Sequence, residues 1–131
     1  MQMDKYQGII TLPAGQPVRA TMDRLENALR SKGVTIFARI DQQAQARLAG
    51  SDMAPLELLL FGNPKGGTPL MVAEPLSGLD LPLKAMAWED HQGKSWLSYN
   101  SFVYLQERYD LPKQLIDAVA MVEGIIRQAA S

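Results

Sequence analysis

Residues 56–61, Leu-Glu-Leu-Leu-Leu-Phe, form an almost unbroken apolar run between Pro55 and Gly62. The run is too short for a stable helix and is bounded by residues that interrupt regular structure. A run of this kind is the mark of a strand inside a sheet and covered on both faces. The rest of the chain must therefore supply the neighbouring strands and the layers that cover them.

The flanking segments supply both. Residues 6–12 (YQGIITL) read as a strand stopped by Pro13, Gly15 and Pro17. Val18, Met22, Leu25 and Leu29 fall on one face at the helical period, which predicts a helix over 18–32 with Gly33 just past its end. In residues 34–40, Val34, Ile36, Ala38 and Ile40 alternate with Thr35, Phe37 and Arg39. The Val/Ile side is expected to face the core, and Phe37 implies some cover on the other side. Asp41 can cap a short helix over 42–49.

Beyond the central run, residues 62–67 read as a turn, with Thr68 as cap and Pro69 at the first position of a short helix. Residues 83–89 and 94–100 read as a hairpin in which Gly93 takes the left-handed position, Asp90 faces Lys94 and Trp88 faces Trp96. A short helix over 102–109 and a long one over 113–130 complete the chain. The long helix contains Gly124, whose expected compensation is close approach of another backbone. Leu25, Ile36, Leu59 and Val122 are the expected core. The sum is an α+β fold: a mostly antiparallel sheet with two long helices on one face.

Composition narrows the chemistry. At 131 residues the chain is expected to be one domain, residues 1–131, large enough for a core without staples. It has no cysteine and one histidine, His91, so disulfides, thiolate chemistry and the usual nitrogen/sulfur metal cages are not expected, nor is a cofactor. Thirteen basic residues balance fourteen acidic ones without a Lys/Arg run, which argues against nucleic acid as a partner. No apolar stretch approaches the ~20 residues of a membrane span. The start, MQMDKYQG, has no charged region followed by an apolar one, so a cytoplasmic protein is the expectation.

The polar motifs read weakly. Gly62-Asn63-Pro64-Lys65-Gly66-Gly67-Thr68 places its lysine before the glycines, the reverse of a phosphate loop. Free N–H groups at the Pro69 helix, with Lys65, could instead hold a carboxylate or phosphate. A plain strand-to-helix turn explains the same residues. Asp80 and Lys84 flank Leu81-Pro82-Leu83 and could face a pocket or form a solvated pair. Glu89 and Asp90 point to opposite sides of a strand, which disfavours paired-carboxylate chemistry. His91 sits in a turn, without the partner a general base requires. Tyr99, Tyr104 and Tyr109 suit a pocket rim or an interface, or simple packing with their hydroxyls bonded.

The motifs FGNPKGGTPLM, GLDLPLKAMAWED and GKSWLSYN, with ARIDQQAQARLAG ahead of them, resemble the core motifs of the domain-of-unknown-function family numbered 302. The resemblance spans residues 8–111 and includes the spacing between motifs. It implies a curved antiparallel sheet with two long helices in β-α-β4-α order, short helices being extra, and a homodimer. It implies no established activity. The chain departs from the family at Asp41-Gln42, where the family often has Asp-His, so no histidine-dependent role is expected there.

Three functions are expected from these features. The first is a non-catalytic small-ligand-binding or regulatory module. Its cleft would lie between the sheet and the C-terminal helix, with Asn63, Lys65, Asp80, Lys84 and Tyr99 as polar contacts for a small anionic or amphipathic ligand. The second is a metal-independent acid/base enzyme using Asp80, Lys84 or Tyr99. The third is a dimeric interaction domain, its interface on the sheet edge or on residues 102–111, with no small ligand.

Overall fold

The computed structural model describes residues 6–131. Five strands, β1 (Ile9–Pro13), β2 (Thr35–Asp41), β3 (Leu56–Gly62), β4 (Leu83–Glu89) and β5 (Ser95–Asn100), form one sheet in the order β1-β5-β4-β3-β2. Every neighbouring pair is antiparallel. The helices are α1 (Val18–Ser31), α2 (Gln42–Leu48), α3 (Pro64–Ala73), α4 (Phe102–Tyr109), α5 (Lys113–Ala120) and α6 (Val122–Ala130). A 3-10 turn, Pro75–Asp80, links α3 to β4.

Strand periodicity places Leu12, Leu59, Phe61, Ala85, Ala87, Leu97 and Tyr99 on one side of the sheet, and all are buried. The apolar stripe of α1 closes on them, with Met22, Leu25 and Leu29 fully buried. α6 packs beside α1 over β1. Burying each such aliphatic side chain contributes about 1.5–3 kcal/mol. The hairpin closes as the sequence indicates. Gly93 has φ +79°, the Asp90 N–H donates to the Lys94 carbonyl, and Trp88 pairs with Trp96. The two indoles stack with centroids 6.2 Å apart.

Four expectations are corrected. First, β2 carries a bulge between Ile36 and Ala38. Before it Ile36 pairs with Phe61 on the helix side; after it Arg39 takes that side, while Ala38 and Ile40 turn away. The single alternation expected along β2 therefore breaks at Phe37, which is 54% exposed. Second, β3 is covered on one face only: Leu59 and Phe61 are fully buried, but Leu56, Leu58 and Leu60 remain partly exposed, as do Ile36 and Val122.

Third, the segment after β3 is helical from Pro64, not from Pro69. Asn63 caps it by accepting from the Lys65 N–H, and Pro64 fills the first position, where no N–H is needed. Fourth, the expected helix over 113–130 is interrupted at Met121, which keeps helical dihedrals, and Gly124 faces open space. Close approach is found instead at Gly66, where a Cβ would lie 2.9 Å from Val119 Cγ1 on α5, and at Gly8, where it would lie 2.5 Å from the Tyr104 ring.

Candidate functional site

A groove of about 870 Å³ opens where the start of β2, the first turns of α3 and the α5–α6 pair converge. Each wall follows from local sequence. The bulge in β2 pushes Phe37 outward until its ring lies against Gly62. The early start of α3 brings Lys65 to the rim. The apolar stripe of the C-terminal helices is wider than the sheet needs, and its surplus, Val119, Val122 and Ile125, lines the far wall. Leu81 and Pro82, joined by a cis peptide bond, close one side.

Among the described residues the groove holds two lysines, Lys32 and Lys65, and no aspartate or glutamate. Neither lysine forms an ion pair among the described residues, whereas Arg30, Arg39, Arg108 and Arg127 all do. The N–H groups of α3 add little to this positive field. Lys65 donates to the Asn63 side chain, and Gly66 and Gly67 donate to the Asn63 carbonyl. An anion here would be met by ammonium groups above an apolar floor, not by a helix end.

The five residues singled out from the sequence are not brought together. Asn63 and Lys65 line the groove. Asp80 accepts hydrogen bonds from the Tyr109 hydroxyl and from Arg108 Nη1 at 2.9 Å. That carboxylate, and then burial, raise the Tyr109 pKa. The space beside Asp80 is about 10 Å³, room for one water at most. Lys84 lies on the opposite face of the sheet, in a shallow depression of about 400 Å³ with Leu58, Met86 and Trp88.

Tyr99 faces the helices and donates to Glu123 on α6, which also pairs with Arg127 at 3.5 Å. Burial first, and then the Glu123 carboxylate, push the Tyr99 hydroxyl well above the ordinary tyrosine range, so it is a neutral donor. Sequence reasoning missed Lys32 and Phe37. The available signal was Phe37 itself, a large apolar residue on the polar phase of a strand.

The comparisons with known proteins agree with this architecture. An uncharacterized conserved DUF302 protein from Bacillus stearothermophilus superposes with a TM-score of 0.76 over 95% of this chain and 97% of that one, at 18% identity. At that identity the likeness is one of fold. In sequence, the chain is 41% identical over 118 residues to proteins named fluoride-specific ion channel FluC 1 from Brucella suis and from Brucella abortus. The match takes in 89% of this chain but 46% and 44% of theirs, so the chain spans under half the length of these curated relatives. The family model for "Domain of unknown function DUF302" matches residues 10–129, and the chain belongs to that family.

Proposed function

We propose that the chain is a non-catalytic small-ligand-binding module, and that its ligand is an amphipathic anion seated in the groove between α3 and α5–α6. The observation that carries this reading is the lining among the described residues: an apolar floor, two lysines without ion-pair partners and no carboxylate. The volume is in the range of small-molecule sites, ~300–1,000 Å³. An alkyl or aromatic body would pack against Phe37, Met71, Val122 and Ile125, and its acid group would meet Lys32 or Lys65.

A regulatory role is supported by the relatives. Among the described residues no helix is long and apolar enough to cross a membrane. We therefore read the matched part of the relatives named as channels as an attached sensing unit, and the present chain as the same kind of unit. Acid/base catalysis has less support, because among the described residues the lysines are the groove's only titratable side chains and Asp80, Lys84 and Tyr99 lie in separate places.

The test is a thermal-shift titration with dodecanoate below its micelle concentration, with dodecanol as the neutral control. A ligand at ~100 times its dissociation constant adds about 2.7 kcal/mol. Dodecanoate should raise the melting temperature, and Lys32→Glu/Lys65→Glu should abolish most of the rise. No shift with any anionic amphiphile, or an equal shift in the double variant, would remove this reading.

A further inference from the structure

Large apolar side chains are left outside along one stretch of the chain. Val72, near the end of α3, is 76% exposed, and Leu76 and Leu79 on the 3-10 turn are 64% and 76% exposed. The turn has an inner and an outer edge, because side chains three residues apart eclipse on a 3-10 helix. Ser77 and Asp80 form the inner edge. Ser77 is buried and donates to the Glu74 carbonyl at 2.7 Å, and Asp80 is held by Tyr109 and Arg108. Leu76 and Leu79 form the outer edge and point away from the protein.

This apolar patch runs on into the groove. Met71 lines the groove and also covers Gly78 of the turn, where a Cβ would lie 3.5 Å from the Met71 sulfur. Phe37 and Met121 carry exposed apolar surface along the other walls of the groove. Val72 follows Lys65 by seven residues, so the two share a face of α3. The unpaired charge beside the patch is mainly positive. Of the carboxylates on α3, the turn, α5 and α6, Asp80, Asp117 and Glu123 pair with Arg108, Lys113 and Arg127. Glu74 has no ion pair among the described residues, and it caps the turn by accepting from the Leu76 N–H at 3.1 Å.

We propose that this patch docks the protein on the surface of an anionic lipid bilayer. Val72, Leu76 and Leu79 enter the acyl boundary, and Lys65 and Lys32 meet the lipid phosphates. Exposed apolar side chains beside lysines are the pattern of interfacial binding. A protein partner would need a matching hollow to take the outer edge of a turn, whereas a bilayer dissolves it. On the reading given above for the groove, its mouth then opens at the leaflet in which an amphipathic anion concentrates.

Sedimentation with vesicles of phosphatidylcholine and about one-third phosphatidylglycerol is expected to pellet the protein, and vesicles of pure phosphatidylcholine to pellet far less. Leu76→Ser/Leu79→Ser should weaken binding to the anionic vesicles about tenfold or more, through lost apolar burial. Lys32→Glu/Lys65→Glu should weaken it about twentyfold or more. Both variants should keep the far-UV circular dichroism spectrum of wild type. Leu48→Ser, at an 82% exposed site on α2 beyond the other end of β2, should bind as wild type does. Leu76 and Leu79 do not line the groove, so the dodecanoate shift should survive their replacement, and the two readings fail separately. Trp88 and Trp96 lie at the end of β4 away from the turn, so their emission should not change on vesicle binding. A blue shift would mean that another face docks, and would overturn the proposal. So would the absence of binding to anionic vesicles, or binding undiminished in Leu76→Ser/Leu79→Ser. A lipid-free dimer that this variant dissociates would assign the patch to a second copy and overturn it as well.

Discussion

Arg39 on β2 donates through Nε to the buried carboxylate of Glu57 on β3 at 2.7 Å, reaching diagonally across the ladder. Its Nη1 reaches Asp23 at 2.7 Å and Glu26 at 3.3 Å on α1. One guanidinium thus ties the sheet to the helix above it. Burial works against the charge, but the bonds to Glu57, Asp23 and Glu26 outweigh it and raise the Arg39 pKa. The fork geometry matters, because a lysine could supply the charge without the several directed donors.

Arg39→Met should therefore be costly out of proportion to its partial exposure. It leaves Glu57, whose side chain is 8% exposed, without its cation. Breaking a buried pair costs about 3–5 kcal/mol, and the 24% exposure of Arg39 places this one near the lower end. Urea titration should show Arg39→Met/Glu57→Leu recovering most of the loss. A double variant as unstable as the single one would mean that Glu57 is not the group left stranded.

Gly66 and Gly124 should respond to alanine in opposite directions. At Gly66 the added Cβ lies 2.9 Å from Val119 Cγ1, so α3 and α5 must separate, at about 1–3 kcal/mol. At Gly124 the Cβ meets nothing within 4 Å, and alanine gains about 1 kcal/mol of helix propensity. Thermal melts of the two variants read the sign directly.

Tyr99 should make stability fall at high pH. Its folded pKa is raised above the unfolded value of about 10, so its contribution is complete below that pH and is lost as the pH rises toward the folded value. Between pH 10 and the onset of general base denaturation, wild type should lose stability more steeply than Tyr99→Phe. Parallel slopes would show that the Tyr99 proton is not linked to folding.

Chelation should leave the melting temperature unchanged. The chain has no cysteine and one histidine, which cannot build the usual structural cage. A drop of several degrees on adding EDTA would point to an oxygen-ligand site.

Much of the fold was legible because it rests on local periodicity. The stripe of α1, the strands and the hairpin at Gly93 each follow from spacing alone. The start of α3 was misplaced because two cap-and-proline signals, Asn63-Pro64 and Thr68-Pro69, lie five residues apart, and the first one acts. Gly124 misled because helix propensity says where a glycine is costly and not what stands opposite it. The groove was half legible. Asn63 and Lys65 stand out as a motif, but Lys32, Phe37 and Val122 meet there only through tertiary packing. The scattering of Asp80, Lys84 and Tyr99 follows from strand parity and the 3-10 turn, which divide close neighbours in sequence among different surfaces.

The bulge at Phe37 makes β2 a strand with two reading frames. Upstream of it, even-numbered residues look toward the helices; downstream, odd-numbered ones do. Shortening the strand by that single residue would remove the bulge and leave Arg39 beneath α1 and Ile40 outward, whereas straightening the strand with Phe37 retained would send Arg39 outward and Ile40 beneath α1. In this stretch one unpaired residue, rather than the identity of its neighbours, sets which side of the protein carries the charge.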